Sequence, residues 1–226
     1  MHRSFQLARL AASPRLVLAL GAAALDAAAQ LPAAPEAPFL DAVKIFQRAS
    51  DGDSGQIEPA IAAFETLARG EPQHPLYAAY LGSTTGLKAR EAWMPWSKIK
   101  YAEQGLDHID RALAALQPEH DRQFLRGVPV GMETRLVAAR MFLAVPDSLF
   151  HRRASGKKML DELLRHPALA GAPTGFRGAV HRAAARAARE DGRAEEEQAH
   201  LKQVLSLAAS GSDAEEARAR LKELGL

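Results

Sequence analysis

An all-α fold built from paired helices is what this sequence predicts, and three observations carry the prediction. Apolar residues recur at spacings of three and four through most segments after residue 38, which is the period of an amphipathic helix. No window alternates apolar and polar residues strictly over several positions, so no strands are expected. A common frame also returns along the chain: Ala60, Phe64, Leu67 and Pro72, then Gly105, Ile109, Ala112 and Pro118, then Gly192, Glu197, Leu201 and Val204.

The first 29 residues read as an export signal. Arg3, Arg9 and Arg15 precede an apolar run, Leu16 to Leu25, which is followed by Ala27, Ala28 and Ala29. A charged start, a short apolar core and small residues at the cleavage site define a secretory signal peptide, and a run of about ten residues is half of what a bilayer span needs. The expected location is therefore periplasmic or secreted. Removing residues 1–29 takes three arginines and Asp26 from totals of 29 basic and 27 acidic residues and leaves a neutral chain. The basic isoelectric point near 9.0 thus belongs largely to the signal and argues against nucleic-acid binding, which favours a net basic domain. With zero cysteines, neither a disulfide nor a thiolate metal site is available, and burial alone must hold the fold.

Residues 30–38 contain LPAAPEAP and are read as an extended, mobile Pro/Ala linker, followed by one helical domain over residues 39–226. Ile57 to Ala68 places Ile57, Ala60, Ile61, Phe64 and Leu67 on one face, and Leu76 to Leu87 does so with Tyr77, Tyr80, Leu81, Thr84 and Leu87. Ile99 to Leu116 repeats the pattern at Ile99, Ala102, Leu106, Ile109, Leu113 and Leu116, with Ser97 after Pro95 as its start and Pro118 as its stop. Gly127–Gly131, GVPVG, interrupts the next unit, whose helix is expected from Met132 to Ala144, with another from Gly156 to Arg165. Thr174 opens a further helix carrying Arg182, Arg186, Arg189 and Arg193 on one side and Ala183, Ala184, Ala187 and Ala188 on the other.

The frame around Phe64, Ile109 and Leu201 resembles the second helix of a tetratricopeptide repeat, a helix-turn-helix unit of about 34 residues. Tyr77, Leu81 and Gly82 match the first helix of the following repeat, where the small residue lets neighbouring helices approach closely. The resemblance covers most of residues 39–226 and implies a right-handed solenoid of about three to four helix pairs. It also implies a concave groove that binds a protein or peptide, although one scaffold serves many partners. Tyr80 to Leu113, YLGSTTGLKAREAWMPWSKIKYAEQGLDHIDRAL, is similar to a bacterial family of exported or soluble repeat proteins, which supports the fold and adds no chemistry.

Both tryptophans lie in KAREAWMPWSKIK, at Trp93 and Trp96 around Met94 and Pro95. Proline stops a helix and drives the preceding residue extended, so the rings leave the chain on either side of a corner. One reading packs at least one indole on the core with its N–H bonded. The other places a ring at the mouth of the groove among Lys88, Arg90, Lys98 and Lys100, where it meets a peptide or an anion. The candidate binding residues are Trp93, Trp96, Tyr77, Tyr80, Thr84, Lys88, Arg90 and Lys100. A second candidate, His151, Arg152, Arg153, Lys157 and Lys158, has no acidic residue until Asp161 and suits an anion or a membrane surface. The Arg182 to Arg193 stripe is expected to face water or pair with Glu190, Glu195, Glu196 and Glu197.

Enzyme signatures are sparse. Ser97 to Lys100 and Ser155 to Lys158 have the serine-to-lysine spacing of penicillin-binding enzymes without the companion elements, and both serines read as helix N-caps. No Glu-Ser dipeptide, Gly-x-Ser-x-Gly or phosphate-binding Gly loop is present, and the histidines after residue 29 lack a metal-ligand spacing. The chain therefore reads as a non-enzymatic partner-binding protein with no cofactor and no metal. The alternative is an accessory small-ligand-binding component of a transport system, with a cavity lined by Phe64, Tyr80 and Ile109.

Overall fold

The computed structural model describes residues 36–208 and 210–225, so the expected signal peptide and residues 30–35 of the linker lie outside the described residues. Ten helices are present among the described residues: α1 Glu36–Ser50, α2 Ile57–Gly70, α3 Pro75–Glu91, α4 Pro95–Ala114, α5 Val130–Ala144, α6 Asp147–Phe150, α7 Arg153–Leu164, α8 Thr174–Glu190, α9 Ala194–Leu207 and α10 Ser212–Glu223. They pack in sequential pairs, α1 on α2, α3 on α4, α5 on α7 and α8 on α9, with α10 against α9.

Glu36, Ala37 and Pro38 correct the linker reading, because they form the first turn of α1. Pro38 is tolerated there, since early helical N–H groups have no intrahelical acceptor. Phe39, Ala42, Val43 and Phe46 then recur at three and four and are all buried. α2 buries Ile57, Ala60, Phe64 and Leu67, and α4 buries Ala102, Leu106, Ile109 and Ala112. These follow the faces the periodicity predicts, except that Ile99 at the start of α4 is exposed and Leu116 lies beyond its end. The core runs on through α5, where Val137, Met141 and Phe142 join α1 to α4, while Met132, Leu136 and Leu143 join Leu160, Leu163, Phe176 and Val180 of α7 and α8.

α3 and α4 approach most closely at their glycines. A Cβ added to Gly82 would lie 2.6 Å from the Gly105 carbonyl oxygen, and one added to Gly105 would lie 2.7 Å from that of Gly82. Gly86 meets Gly105 and the Met141 thioether, whereas Gly82 meets His108 and Ile109, so the two helices run antiparallel. A three-residue connection, Ala92 to Met94, joins them.

Two strands overturn the expectation of none. β1 Phe124–Leu125 and β2 Val128–Pro129 pair antiparallel, Leu125 opposite Val128. Arg126 and Gly127 between them both have positive φ, 45° and 75°, the conformation of a two-residue hairpin turn whose twist matches its strands. Strands this short have no room for alternation, which is why periodicity misses them. The serine caps are corrected as well. α4 starts at Pro95 and α7 at Arg153, so Ser97 and Ser155 lie inside their first turns, and the Arg153 N–H that opens α7 donates to Asp147 Oδ1 at 2.9 Å instead.

Gly82→Ala and Gly105→Ala each force backbone apart and are expected to cost about 1–3 kcal/mol in urea denaturation. Gly178→Ala in α8, where an added Cβ meets nothing within 4 Å, is expected to be neutral or to stabilise by up to about 1 kcal/mol.

Candidate functional site

The corner between α3 and α4 is the most exposed apolar feature described. Trp93 is 89 % and Trp96 67 % exposed, with Met94 at 43 % and Ile99 at 39 %. Met94 is extended, with φ −86° and ψ 135°, and Pro95 occupies the first helical position, where its fixed φ suits the helix and its missing N–H costs nothing. Trp96, Ile99 and Lys100 follow at i, i+3 and i+4 and share one side of α4. Lys98 and Lys100 are exposed, and neither forms an ion pair with a described residue. The core-staple reading of the indoles is thus overturned. Trp93 lies in the three-residue connection, and Trp96 lies in the first turn of α4 on an exposed side.

The other candidate residues do not share this surface. Tyr77, Tyr80 and Thr84 are buried, contrary to their assignment to a groove. Their helix is enclosed by α2, α4 and α5, so one-face periodicity does not tell which side meets water. The Tyr80 ring stacks on Phe64 at 4.9 Å and meets Phe46 edge-on at 5.2 Å. Ile109 lies against Gly82. The volume assigned to a ligand between Phe64, Tyr80 and Ile109 is therefore occupied by packed side chains. Lys88 and Arg90 are engaged too. Lys88 pairs with Glu58 at 2.6 Å and lies 4.9 Å from the Tyr101 ring centroid. Arg90 donates to the carbonyls of Ala49 at 2.7 Å and Ser50 at 3.0 Å, closing the end of α1.

The basic cluster is corrected in the same way. Arg152 pairs with Asp110 at 2.5 Å, Arg153 with Glu190 at 2.6 Å and Asp191 at 2.8 Å, and Lys157 with Asp191 at 3.0 Å. Hydrogen bonds from Arg153 and Lys157 pull the Asp191 carboxyl down to about 2. Folding supplies acidic partners that the local sequence lacks, leaving His151 and Lys158, the latter 3.9 Å from Glu162, as the exposed remainder. Along the arginine stripe, Arg186 pairs with Glu190 at 2.9 Å, Arg193 with Glu196 and Asp191, and Arg182 with Asp213.

A buried network escaped the sequence reading. Glu133 on α5 is almost wholly buried and accepts from the Tyr80 hydroxyl at 2.6 Å and from Arg126 at 2.5 and 3.3 Å. Burial, and then the Glu133 charge, hold the Tyr80 hydroxyl well above its ordinary range. The Arg126 amide also donates to Glu36 at 2.9 Å, so the hairpin ties α1, α3 and α5 together. Leu125-Arg-Gly-Val128, a two-residue turn between apolar residues, was its one local signal. His74 precedes α3, buried and stacked 3.9 Å from Tyr77, with neither ring nitrogen bonded to a described residue. His181 and His200 meet at 3.1 Å between α8 and α9. No group of three or more histidines and acids suited to a metal occurs among the described residues.

No family model, no curated relative and no solved structure matches the chain. No helix among the described residues is long and apolar enough to cross a membrane.

Arg126→Met strands the buried Glu133 charge and is expected to cost about 3–5 kcal/mol. Adding Glu133→Gln is expected to recover part of that loss in urea denaturation. Burial, aided by the charge of His120, lowers the His74 imidazole from 6.5 to about 4. The folded chain then refuses a proton that the unfolded chain accepts, so stability is full above pH 6.5 and falls as pH drops toward 4. The loss is on the order of 3 kcal/mol. Urea midpoints compared at pH 7 and pH 5 are expected to fall less in His74→Leu than in the wild type.

Proposed function

We propose that this chain is an exported, non-enzymatic repeat protein whose helical hairpins stack as a right-handed tetratricopeptide-like solenoid and hold a protein or peptide partner. The partner it fits is a segment presenting an apolar side chain beside acidic residues, docked on the Trp93–Trp96 corner. One observation carries this reading: the two indoles, Met94 and Ile99 form an exposed apolar surface flanked by Lys98 and Lys100. Soluble proteins seldom expose a contiguous apolar patch without a use for it, and tryptophan is among the residues that dominate binding energy at interfaces. The sequential pairing of helices and the glycine contact between α3 and α4 support the repeat architecture. The transport-accessory reading draws no support from the Phe64, Tyr80 and Ile109 region, where rings and Gly82 close the space.

The test is selection of a random peptide library on the folded protein, with and without Trp93→Ala/Trp96→Ala. Selected peptides are expected to pair an apolar anchor with Asp or Glu, and the double variant is expected to lose them. Because both rings stand in water, the variant should unfold within about 0.5 kcal/mol of wild type. A loss of stability with peptide binding retained would sink the reading.

A further inference from the structure

The C-terminal helices have a core of their own. Ala185 of α8, Leu201 and Val204 of α9, and Ala217 and Leu221 of α10 form a buried cluster separate from the two that unite α1 to α8. α10 packs on α9 and α9 on α8. The buried Glu197 carboxylate of α9 accepts from Arg220 of α10 at 2.6 and 3.1 Å, so these two helices form one unit. Its hold on α8 is modest: the shared cluster is small and part alanine, and the Arg182–Asp213 pair is half-exposed, a kind worth little. A segment with few buried apolar contacts opens before the rest of a native protein.

One more contact crosses this joint. His181, one turn before Ala185 on α8, meets His200, one turn before Val204 on α9, with their Nδ1 atoms 3.1 Å and their ring centroids 5.4 Å apart. Both rings are half-buried. Two ring nitrogens bond only when one carries a proton and the other a lone pair. The neutral pair meets that condition, and so does a pair with one extra proton on the donor ring's Nε2. Two imidazoliums do not, since N–H then faces N–H and like charges adjoin. His200 also lines an open groove of about 420 Å³ between α7, α8 and α9, which gives solvent protons a way in. Lys157 and Asp161 of α7, Asp191 just past α8, and Arg193 and Glu196 at the start of α9 border that groove, and Arg177 acts on His181 from its own helix. Three bases oppose three acids there, so no surplus negative charge stabilises a doubly charged pair. Asp213 and Arg220 of α10 are bound to Arg182 and Glu197, and Arg140 of α5 acts on Arg182 and Arg186.

We propose that the His181–His200 bond is an acid-sensitive latch: once both rings are protonated it breaks, and α9 and α10 detach from α8 as a unit. Burial is the largest influence on each imidazole and holds both below their ordinary 6.5. The detached rings take protons more readily than the latched ones, so attachment is full above pH 6.5 and weakens as pH falls below it. Detachment exposes Leu201, Val204 and Leu221 while α1 to α8 stay packed. The latch lies apart from the α3–α4 corner and stands whether or not the tryptophans bind a partner.

Native-state hydrogen exchange of the full chain at pH 7.5 and pH 5.5, corrected for intrinsic exchange rates, tests it. Protection of the α9 and α10 amides is expected to fall about tenfold or more at pH 5.5, with α2 and α4 changing less. His181→Gln and His200→Gln each keep a hydrogen-bonding side chain that does not titrate. Each is expected to remove most of that loss, whatever its protection at pH 7.5. Nitrogen spectra of the wild-type imidazoles at pH 7.5 are expected to show one protonated and one bare Nδ1 in the pair. Equal protection of α9 and α10 at both pH values would overturn the proposal. So would a loss equal in all helices, a loss undiminished in both Gln variants, or two bare Nδ1 atoms at pH 7.5.

Discussion

The close backbone approach of α3 and α4 at Gly82 and Gly105 sets much of the rest. With no Cβ at either position, the helices meet carbonyl to Cα, and Met141 of α5 packs into the notch beside Gly86 and Gly105. A larger residue at any of these positions would push α4 away from α3 and α5 away from both. Helices held this near need only a short connection, and three residues suffice between Glu91 and Pro95. A short connection at the end of a tight pair leaves its side chains no core to reach. Trp93 lies in that connection and Trp96 in the first turn of α4, and both stand exposed at the end of the pair.

Charge is sorted by whether folding finds it a partner. Glu133, buried on α5, is tolerable because Arg126 and Tyr80 both donate to it, and the hairpin brings Arg126 to that carboxylate. Arg152, Arg153 and Lys157 look like a free basic patch along the chain but are drawn into pairs with α4 and the end of α8. Surface pairs of this kind add little stability. Their effect on function is larger, since they remove those cations from the surfaces available to a ligand. Lys98 and Lys100 beside the indoles are exposed and have no ion pair with a described residue.

Much of the fold was legible because helices are written in local periodicity. The buried faces of α2 and α4 follow the spacing of Phe64 and Ile109, and Gly82 was expected to admit a close neighbour and does. The site was less legible for a physical reason in each case. Tyr77, Tyr80 and Thr84 share a face, yet enclosure of α3 on several sides hides them. Ser97 has the right chemistry for a cap, but Pro95 starts the helix two residues earlier. The acidic partners of Arg153 lie 37 and 38 residues away, beyond any local pattern. The hairpin at Arg126 needs only two residues per strand, too few for a period.

The central claim is that both tryptophans stand in water because tight pairing of α3 and α4 denies them the core. They are the chain's only two, so intrinsic tryptophan fluorescence reports on this corner alone. Emission of the native protein, with its quenching by acrylamide, is the direct measurement. The account predicts a native emission maximum and quenching close to those of the urea-unfolded chain. A blue-shifted native emission that quenches poorly and moves to the red on unfolding would contradict it.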